Sequence, residues 1–324
     1  MTTPSALWRE ARNPPHQPPA ELSFRNKAVL VTGAYSGLGY AAAVKYATLG
    51  ASPLILAVRS TEKGEAAKAA IEQEVLKTNL DIIPLVLELS SFASVKAFID
   101  RLDARLPGQR LDVVLLCAGV AVPNFRTSPD GYEMTTQVNV LSNTLLALLL
   151  LPRPRAAASP DGATSASLPH LCFLNSLASH VVEPKILPDA GSDQTLLGSL
   201  NDRAKFDVTR QYYLAKLAAW FAIRGLIEHP DFDTRDVVIN ACCPGMCRTN
   251  MQRDFPFVQR IMAKVSLLPL SRSAEEGSRS LITATGLGPE TLEIYWKANG
   301  GHKLYRETWD EILKILKPHL SYRG

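Results

Sequence analysis

Tyr212 and Lys216 lie four residues apart in the stretch YYLAKLAAW, so on a helix both side chains project from one face. A phenol beside an ammonium can serve as an acid–base device. A free tyrosine titrates near ~10, too high for ready proton exchange at neutral pH, and an adjacent positive charge favours the phenolate. The pair is expected to make Tyr212 able to exchange a proton near pH 7. A core tyrosine beside a surface lysine would give the same spacing, and the pattern alone does not separate the two. Ser176 adds weight, because it follows the apolar run HLCFLN (170–175) and so stands at the C-terminal end of a strand. Open α/β sheets bind ligands at that edge, and a hydroxyl there can orient a carbonyl oxygen. A nucleophilic serine would want a histidine base and a sharp GxSxG elbow; NSLAS has no such elbow, which disfavours hydrolysis. His180, close by in sequence, reads as pocket wall rather than base.

A second group of residues has the chemistry of phosphate binding. The run AVLVT (28–32) leads directly into GAYSGLG, placing Gly33, Gly37 and Gly39 where a strand gives way to a helix, with GxxxGxG spacing. Glycine lets the backbone approach a pyrophosphate, and the helix start offers unpaired N–H groups and the positive end of its dipole. Ser36 and Leu38 share the turn and are assigned to the same set. An ordinary glycine-rich turn would look alike; the strand before and the helix after favour a dinucleotide. The next strand ends in Val58-Arg59-Ser60, where an NAD site would carry an acidic residue for the ribose 2′-hydroxyl. Arg59 suits a 2′-phosphate instead, through charge-assisted bidentate bonds, and Lys63 one turn later adds charge. NADP(H) is the expected cofactor, with a solvated strand-end arginine as the alternative.

These residues need a frame, and the rest of the chain supplies its signature. Short apolar runs (28–32, 53–58, 81–88, 111–116, 170–175, 237–242 and a weaker one at 291–296) alternate with segments of helical period at 38–49, 62–77, 92–106, 131–151 and 208–229. That alternation predicts an α/β fold with a parallel sheet covered on both faces by right-handed crossovers. The stretch 152–167 reads as an exposed loop.

Composition bounds the partners. With 324 residues, 46% of them hydrophobic, the chain can bury one large core, so a single domain over 23–324 is expected. Residues 1–22 are broken by prolines, lack the apolar core of a secretory signal and read as a flexible arm. The longest apolar run, Leu145 to Leu151, falls well short of the ~20 residues of a membrane span, so a soluble, cytoplasmic protein is expected. A net charge of +4 from 35 basic and 31 acidic residues suggests neither nucleic acid nor anionic lipid as a partner. The five cysteines sit in or beside apolar runs and read as buried thiols; Cys243 and Cys247 flank a Pro-Gly turn without histidine partners, so no metal site is expected.

In order along the chain, TGAYSGLG, Asn139 in VNVLSN, Ser176, Tyr212-x-x-x-Lys216 and CPGMCRT together resemble the short-chain dehydrogenase/reductase family, over roughly residues 24 to 305. LAVRSTEKGEAA, DGYEMTTQVNV and NSLASH are similar to its retinol-dehydrogenase-like branch. The resemblance implies a doubly wound Rossmann domain with a sheet of about seven strands. It implies a catalytic tetrad in which Tyr212 protonates the carbonyl oxygen as hydride arrives and Lys216 tunes Tyr212 and bonds the nicotinamide ribose. Ser176 steadies the substrate oxygen, and Asn139 holds a water that relays protons to Lys216. Pro244, Gly245, Cys247 and Thr249 would lie against the nicotinamide amide. Two positions depart from the family pattern. Cys117 replaces the asparagine of an Asn-Ala-Gly motif, which puts local hydrogen bonding in doubt while Ala118 and Gly119 still permit close cofactor approach. Glu88 stands where an aspartate usually meets adenine.

The segments 177–207 and 246–270 should border the substrate. Phe255, Phe257, Val258 and Ile261 would form an apolar lid, pointing to a small lipophilic ketone, aldehyde or alcohol, with plain helix packing as the alternative. The combination is also similar to fungal enzymes that tailor polyketides or terpenoids. Helices 131–151 and 208–229 could pair across a two-fold axis in a homo-oligomer, though the sheet also needs their apolar faces. The reading is an NADP(H)-dependent oxidoreductase; a dinucleotide-sensing binding module and a cofactor-dependent isomerase or cyclase remain as alternatives on the same fold.

Overall fold

The computed structural model describes residues 8–9, 12–76, 80–108, 110–153, 168–180, 182–188, 194–232, 234, 236–249, 251, 254–256, 268–286 and 302–320. The strands are β1 (Val29–Thr32), β2 (Leu54–Val58), β3 (Ile82–Val86), β4 (Val113–Leu116), β5 (His170–Leu174) and β6 (Val238–Cys242). They form one parallel sheet in the order β3-β2-β1-β4-β5-β6. Among the described residues the sheet has six strands rather than about seven, and the run at 291–296 lies outside those residues. Pro84 is accommodated because β3 is an edge strand, where a missing N–H costs no ladder bond.

The helices are α1 (Gly37–Thr48), α2 (Thr61–Val75), α3 (Phe92–Arg105), α4 (134–150), α5 (Leu196–Leu200), α6 (Val208–Glu228), α7 (Ala274–Ala284) and α8 (His302–Leu320). Because helices cover both sheet faces, the strands are buried on both sides and two apolar cores result. One holds α1, α2 and α7, the other α3, α4, α6 and α8. The middle of α4, Gln137–Ser142, is π-helical, a widening that recurs at functional sites. The segment 177–207, expected to border the substrate, contains α5 and single 3₁₀ turns at Leu177–His180, Pro184–Ile186 and Arg203–Lys205.

α8 was not anticipated from the sequence. Tyr305, Trp309, Ile312 and Leu316 recur at helical spacing and are buried, laying α8 against α4 and α6, the two helices considered for pairing between copies. Gly225 of α6 makes the contact possible, since a Cβ there would stand 2.0 Å from Trp309 Cδ2. Gly225→Ala is therefore expected to destabilise by about 1–3 kcal/mol through overpacking, outweighing the gain of up to about 1 kcal/mol from alanine's better helix propensity. A lower thermal midpoint with earlier proteolysis within α8 would show it; an unchanged midpoint would contradict it.

Residues before β1 also pack on the fold. The carbonyl of Asn13 accepts from Arg272 and that of Pro15 from Arg279, while Leu22 fills the space at Gly286.

Candidate active site

β1 passes into α1 through a turn that glycine alone allows. Gly33 and Gly37 have φ of +70° and +59°, and a Cβ on Gly39 would lie 2.6 Å from the Gly33 carbonyl oxygen. Ser36 precedes α1 in an extended conformation without capping it through its side chain, and the first turn of α1 carries no acidic residue. The N–H groups and dipole of α1 are thus disposed to receive an anion.

A cleft opens over this turn, where the sheet order reverses between β1 and β4. From the residues anticipated by sequence it takes in Gly33, Ser36, Gly37, Leu38, Gly39, Arg59, Cys117, Ala118, Gly119 and Thr249. Tyr35, Ala57, Val58, Leu87, Leu89, Val120, Val138, Leu174, Met251 and Asp254 also line it and were not anticipated. Position at the C-terminal ends of strands would have found Val58, Leu87 and Leu174. Lys63, Glu88, Asn139, Ser176, Tyr212, Lys216, Pro244, Gly245 and Cys247 stand outside this lining. A cleft with a glycine-rich turn and the start of α1 on its floor and apolar strand ends on its walls fits a nicotinamide dinucleotide.

At the rim, Arg59 Nε lies 3.8 Å from Glu88 Oε2, both side chains about a third exposed, a contact that water weakens. Glu88 also accepts from the Ser90 amide at 3.0 Å. Lys63 Nζ sits 5.1 Å from the centre of the Tyr35 ring. The segment after β6 reaches the glycine turn from the other side. Thr249 stands against Gly37, and Gly277 of α7 has no side chain where a Cβ would meet Cys247 Sγ at 2.4 Å and Leu38 Cδ2 at 2.8 Å. Gly245, at φ +73°, turns the chain, and Arg272 donates to the Pro244 carbonyl at 3.3 Å.

The hydrogen bonding left in doubt by Cys117 is supplied from elsewhere. Ala118 N donates to Thr32 Oγ1 at 2.9 Å, and Asn143 Nδ2 donates to the Ala118 carbonyl at 3.1 Å. Asn139 grips Val120 from both ends of its amide, Oδ1 accepting from the backbone N–H and Nδ2 donating to the carbonyl, each at 2.8 Å. Its amide is therefore engaged in fixing the end of β4, a task the sequence did not reveal. Gly119 leaves room for it, since a Cβ would lie 3.1 Å from Asn139 Oδ1.

α6 begins where the Asp207 carboxylate accepts from the Arg210 amide at 2.8 Å. Tyr212 hydrogen-bonds the Ser176 side chain. Ser176 Oγ is further fixed by the Ala178 amide at 3.2 Å, within the turn that follows β5. Lys216 Nζ donates to the Leu174 carbonyl at 3.0 Å and lies 5.9 Å from the centre of the Tyr212 ring. The fold thus brings Ser176, Tyr212 and Lys216 together, with Leu174 joining them to the cleft. Cys243, by its apolar setting in the sequence a structural thiol, lies beside this group, its Sγ accepting from the Leu177 amide at 3.4 Å. His180 turns away, with its ring 5.5 Å from that of Trp220, two turns along α6 from Tyr212. Phe255 is described, whereas Phe257, Val258 and Ile261 lie outside the described residues.

One electrostatic expectation is overturned. Burial pushes the Tyr212 phenol up to about 12, and the Ser176 hydrogen bond offsets this only in part. Lys216 does not reverse the shift because it is itself buried, its ammonium lowered from the ordinary 10.5 to about 8 by desolvation, and its proton is directed at Leu174. Tyr212 is a neutral donor at physiological pH. For Lys216 the unfolded chain binds more protons between pH 8 and 10.5, so unfolding free energy rises with pH in that window. Denaturant titrations at pH 7 and 10 should show wild type gaining roughly 1–3 kcal/mol relative to Lys216→Met; parallel behaviour of the two would contradict the shift.

A parallel sheet wound from both sides, with a glycine turn at its switch point, defines a dinucleotide-binding fold. A short chain dehydrogenase family model matches residues 27–158. The short-chain dehydrogenase/reductase ffsI of Aspergillus flavipes is 35% identical, the match covering 96% of this chain and 92% of that protein. The short-chain dehydrogenase/reductase phmF of Phaeosphaeria nodorum is 34% identical, with 98% and 93% covered. Among solved structures, levodione reductase matches with a TM-score of 0.57 at 21% identity, covering 84% of this chain and 94% of that one. An alcohol dehydrogenase from Thermococcus sibiricus complexed with 5-hydroxy-NADP gives 0.56 at 19%, with 82% and 93% covered. The chain belongs to the short-chain dehydrogenase/reductase family, whose members bind nicotinamide dinucleotides.

Proposed function

We propose that the protein interconverts a carbonyl and an alcohol on a small lipophilic molecule, with NADP(H) as cofactor. The observation that carries this reading is the Tyr212 hydroxyl bonded to Ser176, one helical turn from Lys216, beside a cleft floored by the glycine turn. The Gly33–Gly39 turn and the start of α1 would hold the pyrophosphate, and Arg59 with Lys63 the 2′-phosphate. A dianionic phosphate binds a guanidinium more strongly than Glu88 does at 3.8 Å. When bound, the cofactor supplies or accepts the hydride.

The chain's own residues manage the oxygen and its proton. Ser176 Oγ, held by Ala178, donates to the substrate oxygen and fixes the carbonyl beside Tyr212. Tyr212, kept protonated by burial, gives its proton to the oxygen as negative charge develops there, an alkoxide being a stronger base than a phenolate. The Lys216 ammonium stabilises the phenolate left behind. In the oxidative direction each step reverses.

Apolar surface beside Ser176 supports a lipophilic substrate. Leu177, directly after the serine, is 41% exposed, one of few large apolar side chains so displayed among the described residues. The resemblance to fungal tailoring enzymes seen in the sequence, together with relatives from Aspergillus flavipes and Phaeosphaeria nodorum, is the ground for proposing a place in secondary metabolism. The test is absorbance at the reduced-nicotinamide band against a panel of lipophilic ketones and aldehydes, with NADPH and NADH separately. Consumption of NADPH in preference to NADH is expected; equal use would sink the cofactor assignment, and no turnover with any carbonyl would sink the redox reading.

A further inference from the structure

Glu133 is fully buried, and among the described residues its carboxylate is held by amides and hydroxyls alone. Its Oε2 accepts from the amides of Thr135 and Thr136, at 2.9 and 3.1 Å, which caps the start of α4. Capping alone does not explain the residue type. Aspartate, asparagine, serine and threonine reach those amides best, and glutamate is a poor choice unless its extra methylene serves another partner. Here it does, because the same oxygen accepts from Gln211 Nε2 at 2.6 Å.

Gln211 immediately precedes Tyr212 in α6 and is 2% exposed. Its amide nitrogen also donates to the Leu200 carbonyl at 3.0 Å, at the end of α5. The next residue, Asn201, accepts from the Glu133 backbone N–H at 2.6 Å and donates to the Gly131 carbonyl at 3.2 Å. One carboxylate thus joins the helix that carries Asn139, the first turn of the helix that carries Tyr212, and the short helix of the 177–207 insertion. We propose that Glu133 and Gln211 form a strut that positions Tyr212: the glutamate is long enough to cap α4 and, through Gln211, to set where the first turn of α6 stands. Neither touches the reacting atoms. Both are positioning residues, and their role in turnover rests on the carbonyl–alcohol reading above.

Glu133→Asp separates the strut from the cap. Aspartate caps the helix at least as well but falls one methylene short of Gln211. Amide hydrogen exchange followed by mass spectrometry should then quicken in residues 196–214 and stay unchanged in residues 134–140. kcat should fall about tenfold or more, since misplacement of a reacting group by an ångström costs on that scale, while NADPH affinity measured by fluorescence titration is retained. Gln211→Met removes the strut from the other side, and the double variant should be no slower than the singles, because both delete one contact. Unchanged exchange over 196–214 overturns the proposal, as do additive losses of kcat. Failure of Glu133→Asp to fold also overturns it, since the carboxylate would then serve the core. Exchange needs no substrate, so if wild type turns over no carbonyl, the functional reading fails while the strut is still judged by exchange.

Discussion

Tyr212→Phe is expected to lower kcat/KM for carbonyl reduction by about 10²–10⁴-fold, the usual worth of a positioned general acid. Phenylalanine keeps the ring and its packing but removes the hydroxyl that meets Ser176. The glycine turn and Arg59 are untouched, so NADPH affinity by fluorescence titration should be retained. The loss should be uniform across pH 6–9, because a phenol pushed up to about 12 is protonated throughout that range. Were the phenol acidified by Lys216, wild-type reduction would decline as Tyr212 lost its proton within that range. A wild-type rate in Tyr212→Phe would remove the acid from the mechanism, and loss of cofactor affinity would mean that the residue binds rather than reacts.

That contrast shows what a sequence can and cannot carry. The four-residue spacing of Tyr212 and Lys216 fixes their shared helix face, and the alternation of apolar and helical segments fixes the sheet and its ligand-binding edge. Both are local properties. The ionisation of Tyr212 depends on what covers it, and desolvation is a property of the packed molecule. The same limit hides the α8–Gly225 contact, since neither the amphipathic stretch around Trp309 nor an isolated glycine in α6 names its partner. It also hides Asn139's grip on Val120, because a side-chain amide shows no preference for a backbone 19 residues away until the fold closes. The helical period of the sequence starts α4 at 131 rather than 134 for a related reason. Glutamate is not a recognised capping type, so Glu133 gave no stop to the helical period, and its length makes sense only with Gln211 in view.

Gly39→Ala should raise the NADPH Kd by roughly 10- to 150-fold, the loss of one charge-assisted hydrogen bond worth about 1.5–3 kcal/mol. By propensity the substitution is favourable, since Gly39 lies in the first turn of α1 and has no positive φ to protect. Packing reverses that preference. The added Cβ would stand 2.6 Å from the Gly33 carbonyl oxygen and 3.1 Å from that of Thr32, both backbone atoms that no rotamer can move. Gly33 has little room to retreat, because a Cβ on it would already stand 3.2 Å from Ala118 Cα, and its amide is tied to the Ala57 carbonyl at 2.9 Å. The strain therefore falls on the start of α1, which swings its N–H groups away from where a pyrophosphate would sit. Ala43→Gly, in the middle of the same helix, supplies the control. It costs stability through glycine's poor propensity while leaving the turn intact, so its Kd should match wild type even as its thermal midpoint drops. If Gly39→Ala bound NADPH as tightly as wild type, the glycine turn could not be the phosphate cradle, and the cleft above it would need another occupant.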